Sequence, residues 1–428
     1  MNGIPESADT VVVGGGPAGI AAAGAAAETG RSVLLVDRRP NLGGNIWYRA
    51  VGEGPAADAL SDLRRLERGN LRVVASAEVL DVPRSGTALI GRGTDATEVA
   101  YGALVLATGA RERFLPFPGW TLPNVTGAGG LQLLAKAGAP LKGRRVVVAG
   151  TGPLLLAAGA YLRGRGADVR LIAEQTSRRR VWTLALGLIR DRQRLRQALD
   201  LRRQLRGIPY LTDCWPLRAE GEGRVQRVTL RHGRKEWSEE CDLLACGYHL
   251  VPNTELAELL GCRMESGFVT VDEFQATSVP RVFAAGEPVG IGGMELARIE
   301  GEIAGRAATE QRERARGLFG ERRRLARFRP ALDRAFRLSP QLRGLPSPET
   351  IICRCEDVSA GALRGYGSGR EARLQTRCGM GRCQGRVCGP STEFLWGWSL
   401  RGTRPPIVPA TVSQLTLRPD SPPTMRQS

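Results

Sequence analysis

Histidine is nearly missing from this chain: its 428 residues include two, His232 and His249. A metal site built on several imidazoles is thereby excluded, and so is a nucleophile triad that needs a histidine base. Lysine is almost as scarce, since of 61 Lys and Arg residues only Lys136, Lys142 and Lys235 are lysine. Aromatic residues make up 5% of the chain, so its cores must be aliphatic and alanine-rich. No segment has the roughly 18 uninterrupted apolar residues that a membrane helix needs. The apolar stretch Val11–Ala27 is interrupted by five glycines and Pro17, and no positive region precedes it. It reads as strand, turn and helix rather than as a secretory signal. The expectation is a cytoplasmic protein without a transmembrane segment, which would reach the inner membrane only through partners.

The formal net charge of +18 invites a nucleic-acid reading. The arginines, however, are spread along the whole chain and form no basic tail. Their densest run, Arg178 to Arg206, reads as one helix with a charged face. No nucleic-acid partner is expected, and an acidic protein or an anionic substrate suits this charge better. Of nine cysteines, Cys214, Cys241, Cys246 and Cys262 are scattered, while Cys353, Cys355, Cys378, Cys383 and Cys388 fall close together. An odd total and tight clustering point to a metal rather than to disulfides. No Cys-x-x-Cys lies in the first 350 or so residues, which excludes a dithiol relay of the kind used in thiol–disulfide exchange.

What is abundant is glycine, 55 residues, and its placement carries the chemistry. The apolar strand Thr10–Val13 runs into Gly14-Gly15-Gly16-Pro17-Ala18-Gly19, then into the alanine-rich helix Ile20–Glu28. A second strand, Ser32–Val36, ends in Asp37. This is a G-x-G-x-x-G turn with the strand before it, the helix after it and the acid in register. Gly14 allows the tight turn, Gly16 the close approach of a pyrophosphate, and Gly19 close packing of helix on strand. The helix start offers unpaired N–H groups to phosphate, and Asp37 can accept from ribose hydroxyls. A second unit repeats the plan. The strand Val146–Ala149 precedes Gly150-Thr151-Gly152-Pro153-Leu154-Leu155, and the strand Val169–Ala173 ends in Glu174. Leu155 stands where the third glycine belongs. Gly150, Gly152 and Glu174 would suit NAD over NADP, because Glu174 repels a 2′-phosphate. Loss of binding with the fold kept, or another adenine nucleotide, is the alternative.

After Asp37, the segment Arg38-Arg39-Pro40-Asn41-Leu42-Gly43-Gly44-Asn45 resembles the glutathione-reductase-like flavoproteins. The strand end Ala107-Thr108-Gly109-Ala110 and the run Val282-Phe283-Ala284-Ala285-Gly286-Glu287 resemble two further signatures of that family. The resemblance implies FAD in the first site, held by Gly14, Gly16, Pro17, Ala18, Gly19, Asp37, Arg38, Gly44, Asn45, Ala107, Thr108, Gly109, Gly286 and Glu287. It also implies a backbone contact to the adenine near Val79. Glu287 departs from the family's Asp by one methylene.

The cysteines read Cys353-Arg354-Cys355-Glu356-Asp357-Val358 and Thr376-Arg377-Cys378-Gly379-Met380-Gly381-Arg382-Cys383-Gln384-Gly385-Arg386-Val387-Cys388. Four thiolates suit a [2Fe–2S] cluster and also tetrahedral zinc. The C-x-C and C-x4-C spacings resemble the bacterioferritin-associated-ferredoxin-like module rather than zinc knuckles. In that module the position of Cys378 is often another residue. The resemblance therefore implies Cys353, Cys355, Cys383 and Cys388 as ligands, with Cys378 a spare or a substitute.

The whole succession, with Phe117-Pro118-Gly119-Trp120 and Gly286-Glu287-Pro288-Val289-Gly290-Ile291-Gly292-Gly293, resembles the larger FAD subunit of the opine oxidase, hydroxyproline dehydrogenase and hydrogen cyanide synthase group. That resemblance runs from about Asp9 to Val408. It implies an α/β chain with two Rossmann-like dinucleotide-binding domains and a small C-terminal [2Fe–2S] module. The expected division is FAD domain 1–115, second dinucleotide domain 116–245, FAD return segment 246–315, helical connector 316–345, cysteine module 346–400 and extended tail 401–428. It further implies a hetero-oligomer. A D-amino-acid-oxidase-type flavoprotein partner would oxidise the C–N bond, this chain would relay the electrons, and a small ferredoxin-like subunit would complete the assembly. No motif supplies an acid–base pair or nucleophile, so no catalytic residue is assigned. The rival readings are a stand-alone NADH-dependent ferredoxin-type reductase and a non-catalytic scaffold whose metal is structural. His249 reads as a polar turn residue.

Overall fold

Alternating short apolar strands and alanine-rich helices give the chain its layers. In a computed structural model, which describes residues 3–49, 52, 54, 55, 57–188, 191–399 and 402–416, two parallel sheets carry the two glycine turns. The first sheet holds β1 (Ser7–Val13), β2 (Val33–Asp37), β3 (Leu71–Ala75), β4 (Ala77–Asp81), β5 (Thr87–Arg92) and β6 (Asp95–Leu106). Its order is β3-β2-β1-β6-β5-β4, with β3, β2, β1 and β6 parallel and β4–β6 an antiparallel meander. The strand Val282–Ala284 returns much later to pair parallel with β6, Phe283 opposite Val105. Strands buried on both faces read as unbroken apolar runs, as Val33–Val36 and Ala103–Leu106 do.

β7 (Ala110–Glu112) leads out of this sheet into β8 (Val125–Gly127), β9 (Arg145–Thr151), β10 (Asp168–Glu174), β11 (Tyr210–Thr212) and the meander β12 (Cys214–Glu220), β13 (Arg227–His232) and β14 (Lys235–Glu240). β15 (Leu243–Tyr248) completes a second sheet of order β11-β10-β9-β15-β8. β16 (Leu250–Pro252) then leads back, antiparallel to β7, so the outgoing and returning strands form one two-stranded bridge.

Helix packing is set by small residues. The helix Met294–Ala308 lies on the helix Pro17–Ala27 through Gly301 and Gly305, where a Cβ would stand 2.0 Å from the Ala18 carbonyl oxygen and 2.1 Å from that of Ala22. The expected single helix Arg178–Arg206 is two, Arg178–Leu188 and Arg192–Gln204. Asp191 starts the second by accepting from the Arg194 N–H at 3.1 Å, a capping role that breaks the run. The connector is helical in pieces, Phe319–Ala326 and Arg329–Ala335, and ends in the 3-10 turn Pro340–Gly344. The tail crosses back to the first sheet, where Ile407 N–H donates to the Leu80 carbonyl at 2.8 Å. The end of the expected extended tail, residues 417–428, lies outside the described residues. No helix among the described residues is long and apolar enough to cross a membrane.

Candidate flavin and cysteine sites

The first glycine turn is shaped by what a side chain would strike. At Gly14, with φ +106°, a Cβ would lie 2.2 Å from the Ala107 carbonyl oxygen, and at Gly19 1.7 Å from that of Gly14. The helix start, β1 and the end of β6 are thus in contact through bare backbone. Gly16 is the N-cap of the helix Pro17–Ala27 and offers no side-chain acceptor, so the first-turn N–H groups are left for a ligand. Gly44, with φ +58°, closes over the turn, its Cβ position 2.9 Å from Gly16 Cα. Asn45 is fixed by Arg39, whose Nη2 donates to Asn45 Oδ1 at 2.5 Å and Nη1 to the Gly44 carbonyl at 2.8 Å. Asp37 is buried and accepts from the N–H groups of Gly15 and Arg39. Arg38, Ser76 and Glu78 line a cavity of about 910 Å³, roofed by Arg382 and by tail residues Pro409–Thr411. Val79, in β4, buries its side chain in the core. Thr108 Oγ1 donates to the Asn253 carbonyl at 2.5 Å, and Gly109 turns with φ +70°. A cradle that admits only glycine and a helix start without acceptors fit a dinucleotide pyrophosphate. Gly14–Gly19, Asp37, Arg38, Gly44, Asn45 and the backbone at Val79 and Ala107–Gly109 are the residues that would hold it.

The return segment brings Glu287 together with Glu300, an acid that no motif marked. Gly286 (φ +78°) sets its Cβ position 3.0 Å from Ala18 Cβ, so Glu287 stands beside the helix start. Burial pushes the Glu287 carboxyl up to about 7 against the N–H donors of Gly293 and Gly292 and the charge of Arg329, and its Oε2 is buried without a partner. Glu300, 2% exposed, accepts from Gly286 N–H at 3.1 Å. Arg329, the first residue of the connector helix Arg329–Ala335, reaches into the same loop. It donates to the carbonyls of Val289 (3.2 Å) and Gly290 (2.8 Å) and pairs with Glu300 Oε1 at 3.3 Å. Burial outweighs that pairing and pushes Glu300 up to about 6. The signal available in sequence was slight: Arg329 is one arginine in an arginine-rich connector.

In the second unit the fold is kept and the acid is turned inward. Glu174 is 0% exposed and fully engaged. It accepts from Thr151 Oγ1 (2.7 Å), Gly152 N–H (2.8 Å) and Thr176 N–H (2.8 Å). Beside it, buried Gln175 accepts from Ser339 N–H of the connector at 3.0 Å. Leu155 is fully buried among Val146, Val148 and Ala245. Gly150 and Gly152 keep positive φ, +134° and +101°. His249 turns with φ +74°, and burial pushes its pKa down.

The clustered cysteines gather as a buried triad and a separate pair, in an arrangement the sequence did not foretell. The sulfurs of Cys353, Cys378 and Cys388 lie within 4.8 Å of one another and are buried. Cys355, exposed, stands beside the half-buried Cys383. Cys378, expected as a spare, is thus in the buried group. The reason is local: Arg377 in the left-handed conformation ends the helix Gly369–Thr376 and turns Cys378 inward, while Gly379 N–H donates to Cys353 Sγ at 3.5 Å. Thiol donors Cys378 and Cys388 hold the Cys353 thiolate far below the ordinary range. At Gly381 a Cβ would lie 2.3 Å from Cys355 Cβ. Three buried thiols around a glycine turn, with Cys355 and Cys383 paired nearby, fit a thiolate-held metal centre.

This module is latched to the flavin side. Arg386, between Cys383 and Cys388, pairs with Glu255 at 3.2 Å; Glu255 pairs with Arg111 at 2.9 Å; and Arg111 Nε donates to the Arg386 carbonyl at 3.1 Å. Arg111 lies in β7, two residues past Gly109, so one ion cluster joins the first glycine cradle's exit strand to the cysteine loop.

Two nucleotide folds in one chain, the first with an open glycine cradle, define a two-dinucleotide-domain flavoprotein oxidoreductase. The pyridine nucleotide-disulphide oxidoreductase family profile matches residues 8–301, and the chain belongs to that family. It is an FAD-dependent oxidoreductase. Among curated relatives, the hydrogen cyanide synthase subunit HcnB of Pseudomonas aeruginosa is 32% identical over 88% of this chain and 90% of its own. An opine oxidase subunit of Rhizobium meliloti is 32% identical over 90% and 92%. The crystal structure of L-proline dehydrogenase from P. horikoshii superposes with a TM-score of 0.68 at 21% identity, over 96% of this chain and 80% of that one. The thioredoxin reductase of T. acidophilum follows at 0.56 and 20%, over 72% and 99%. These likenesses establish the fold.

Proposed function

We propose that this chain is the electron-transferring subunit of a heteromeric dehydrogenase that oxidises an amine, opine or amino acid. FAD accepts electrons in pairs and releases them singly, and a [2Fe–2S] cluster takes one at a time. In this reading Gly14–Gly19, Asp37, Arg38, Gly44, Asn45, Gly286 and Glu287 hold FAD. Cys353, Cys355, Cys383 and Cys388 hold the cluster, with Cys378 able to substitute. The divisions at 115, 245, 315, 345 and 400 separate the working parts. The observation that carries the reading is the latch Arg111–Glu255–Arg386, which fixes a cysteine module to a flavin domain. Two relatives named as subunits of an opine oxidase and of a hydrogen cyanide synthase support a multi-subunit setting. The C–N bond is oxidised on a partner chain of D-amino-acid-oxidase type, with a small ferredoxin-like subunit completing the complex in the cytoplasm. The inward-turned Glu174 weighs against NAD as the electron source.

Tagging this chain and purifying it from its own cells under gentle conditions tests the reading. A second flavin-bearing chain should co-purify, and an amine or amino-acid substrate, not NADH, should bleach the flavin. Rapid bleaching of the isolated chain by NADH would transfer the reading to the stand-alone reductase.

A further inference from the structure

The buried acids of the return segment stand beside the first glycine cradle, joined to it through Gly286. Two carboxylates, Glu287 and Glu300, approach the same loop with one guanidinium, Arg329, between them. Glu300 is fully occupied: Oε2 takes Gly286 N–H at 3.1 Å and Oε1 takes Arg329 at 3.3 Å. Glu287 is supported by the N–H groups of Gly292 and Gly293, yet its Oε2 is buried with no partner. Gly290 makes room for the cation, since a Cβ there would stand 2.4 Å from Arg329 Nη1. The other charge facing the pair is Arg322, from the helix Phe319–Ala326. The helix Pro17–Ala27, packed on the opposite side, presents Ala18 and Ala22 and no charge.

We propose that Glu287 and Glu300 act together as a one-proton store beside the flavin, and that Arg329, reaching in from the connector, is the positioning residue that sets how tightly the proton is held. This inference rests on the FAD relay reading and deepens it. Two buried carboxylates facing one well-placed guanidinium cannot both stay ionised cheaply, and the raised pKa values of both agree with a shared proton. The balance is simple. Each electron that arrives adds one negative charge to a buried site. One proton from water forms an O–H bond on a carboxylate oxygen of the pair, and that bond breaks, returning the proton to water, when the electron leaves. Because Arg329 belongs to the connector that leads to the cysteine module, the same segment that carries the module also tunes the store.

The experiment is the flavin midpoint potential of the purified, FAD-loaded full chain, followed across neutrality from acid to alkaline pH. The wild-type plot should steepen over a window near neutral pH, where reduction takes up an additional proton. Glu287→Gln and Glu300→Gln, which keep an acceptor oxygen but cannot ionise, should each lose the window in the flavin-loaded fraction. Arg329→Gln should move the window to higher pH, and Arg329→Lys should largely restore it. A wild-type plot without the window, or a window that survives in both glutamine variants, overturns the proposal while leaving the relay intact. A chain that carries no flavin overturns both.

Discussion

At the scale of single residues, the account turns on groups held away from their ordinary state. Glu287 and Glu300 are raised to about 7 and about 6 by burial. A raised acid stabilises the fold fully below its unfolded value near 4.5, and that contribution is lost as pH climbs through the folded values. At about 1.4 kcal/mol per unit, the flavin-free chain should lose on the order of 5 kcal/mol from this pair between pH values of about 4.5 and 7. Chemical denaturation at a series of pH values checks this, and Glu287→Gln with Glu300→Gln should flatten the profile. A second outcome concerns thiols. Burial pushes Cys214 and Cys241 up to about 12 and raises Cys246 and Cys262 as well. A neutral-pH alkylating reagent on the folded, metal-free chain should label Cys355 first and leave these four unlabelled, as peptide mapping would reveal. The glycines of the first turn were legible because their need is steric: Gly19→Ala would place a Cβ 1.7 Å from the Gly14 carbonyl oxygen. That variant should fail to retain FAD, at a cost of about 3 kcal/mol or more in packing, read as flavin lost on gel filtration. Glu300 and Arg329 were not legible, because their partners are 14 and 39 residues away in sequence and no spacing rule links them.

At the scale of elements, strand and helix succession was readable and the joints were not. The run Val282–Glu287 marked the segment that returns to the flavin domain, and in the structure Val282–Ala284 pairs parallel with β6. The break at Asp191 was hidden inside an arginine-rich run whose charge pattern alone suits one helix, and the cap that ends it is a single short side chain. The latch likewise joins three elements through Arg111, Glu255 and Arg386. Its removal has a distinct expected outcome. Glu255→Gln leaves two arginines facing one another, at a cost of roughly 1–3 kcal/mol after allowance for their partial exposure. Protease should then cut between the flavin domain and the cysteine module sooner than in the wild type, with the flavin spectrum unchanged.

At the scale of the whole molecule, a chain with net charge +18 has no basic tail and spreads its arginines through both nucleotide folds and the cysteine module. Many serve inside the protein, as Arg39, Arg111, Arg329 and Arg386 do. The charge therefore says more about how this chain holds its parts together than about a polyanionic partner. What unites the parts is a line from glycine cradle to cysteine loop. That line requires the converging thiols to hold iron. The most direct measurement is metal analysis of the anaerobically purified chain together with electron paramagnetic resonance after dithionite reduction. The account predicts flavin, about two irons per chain and a rhombic signal from the reduced cluster. Flavin with zinc and no iron would contradict it, leaving the cysteine module as a structural clasp with no place in electron transfer.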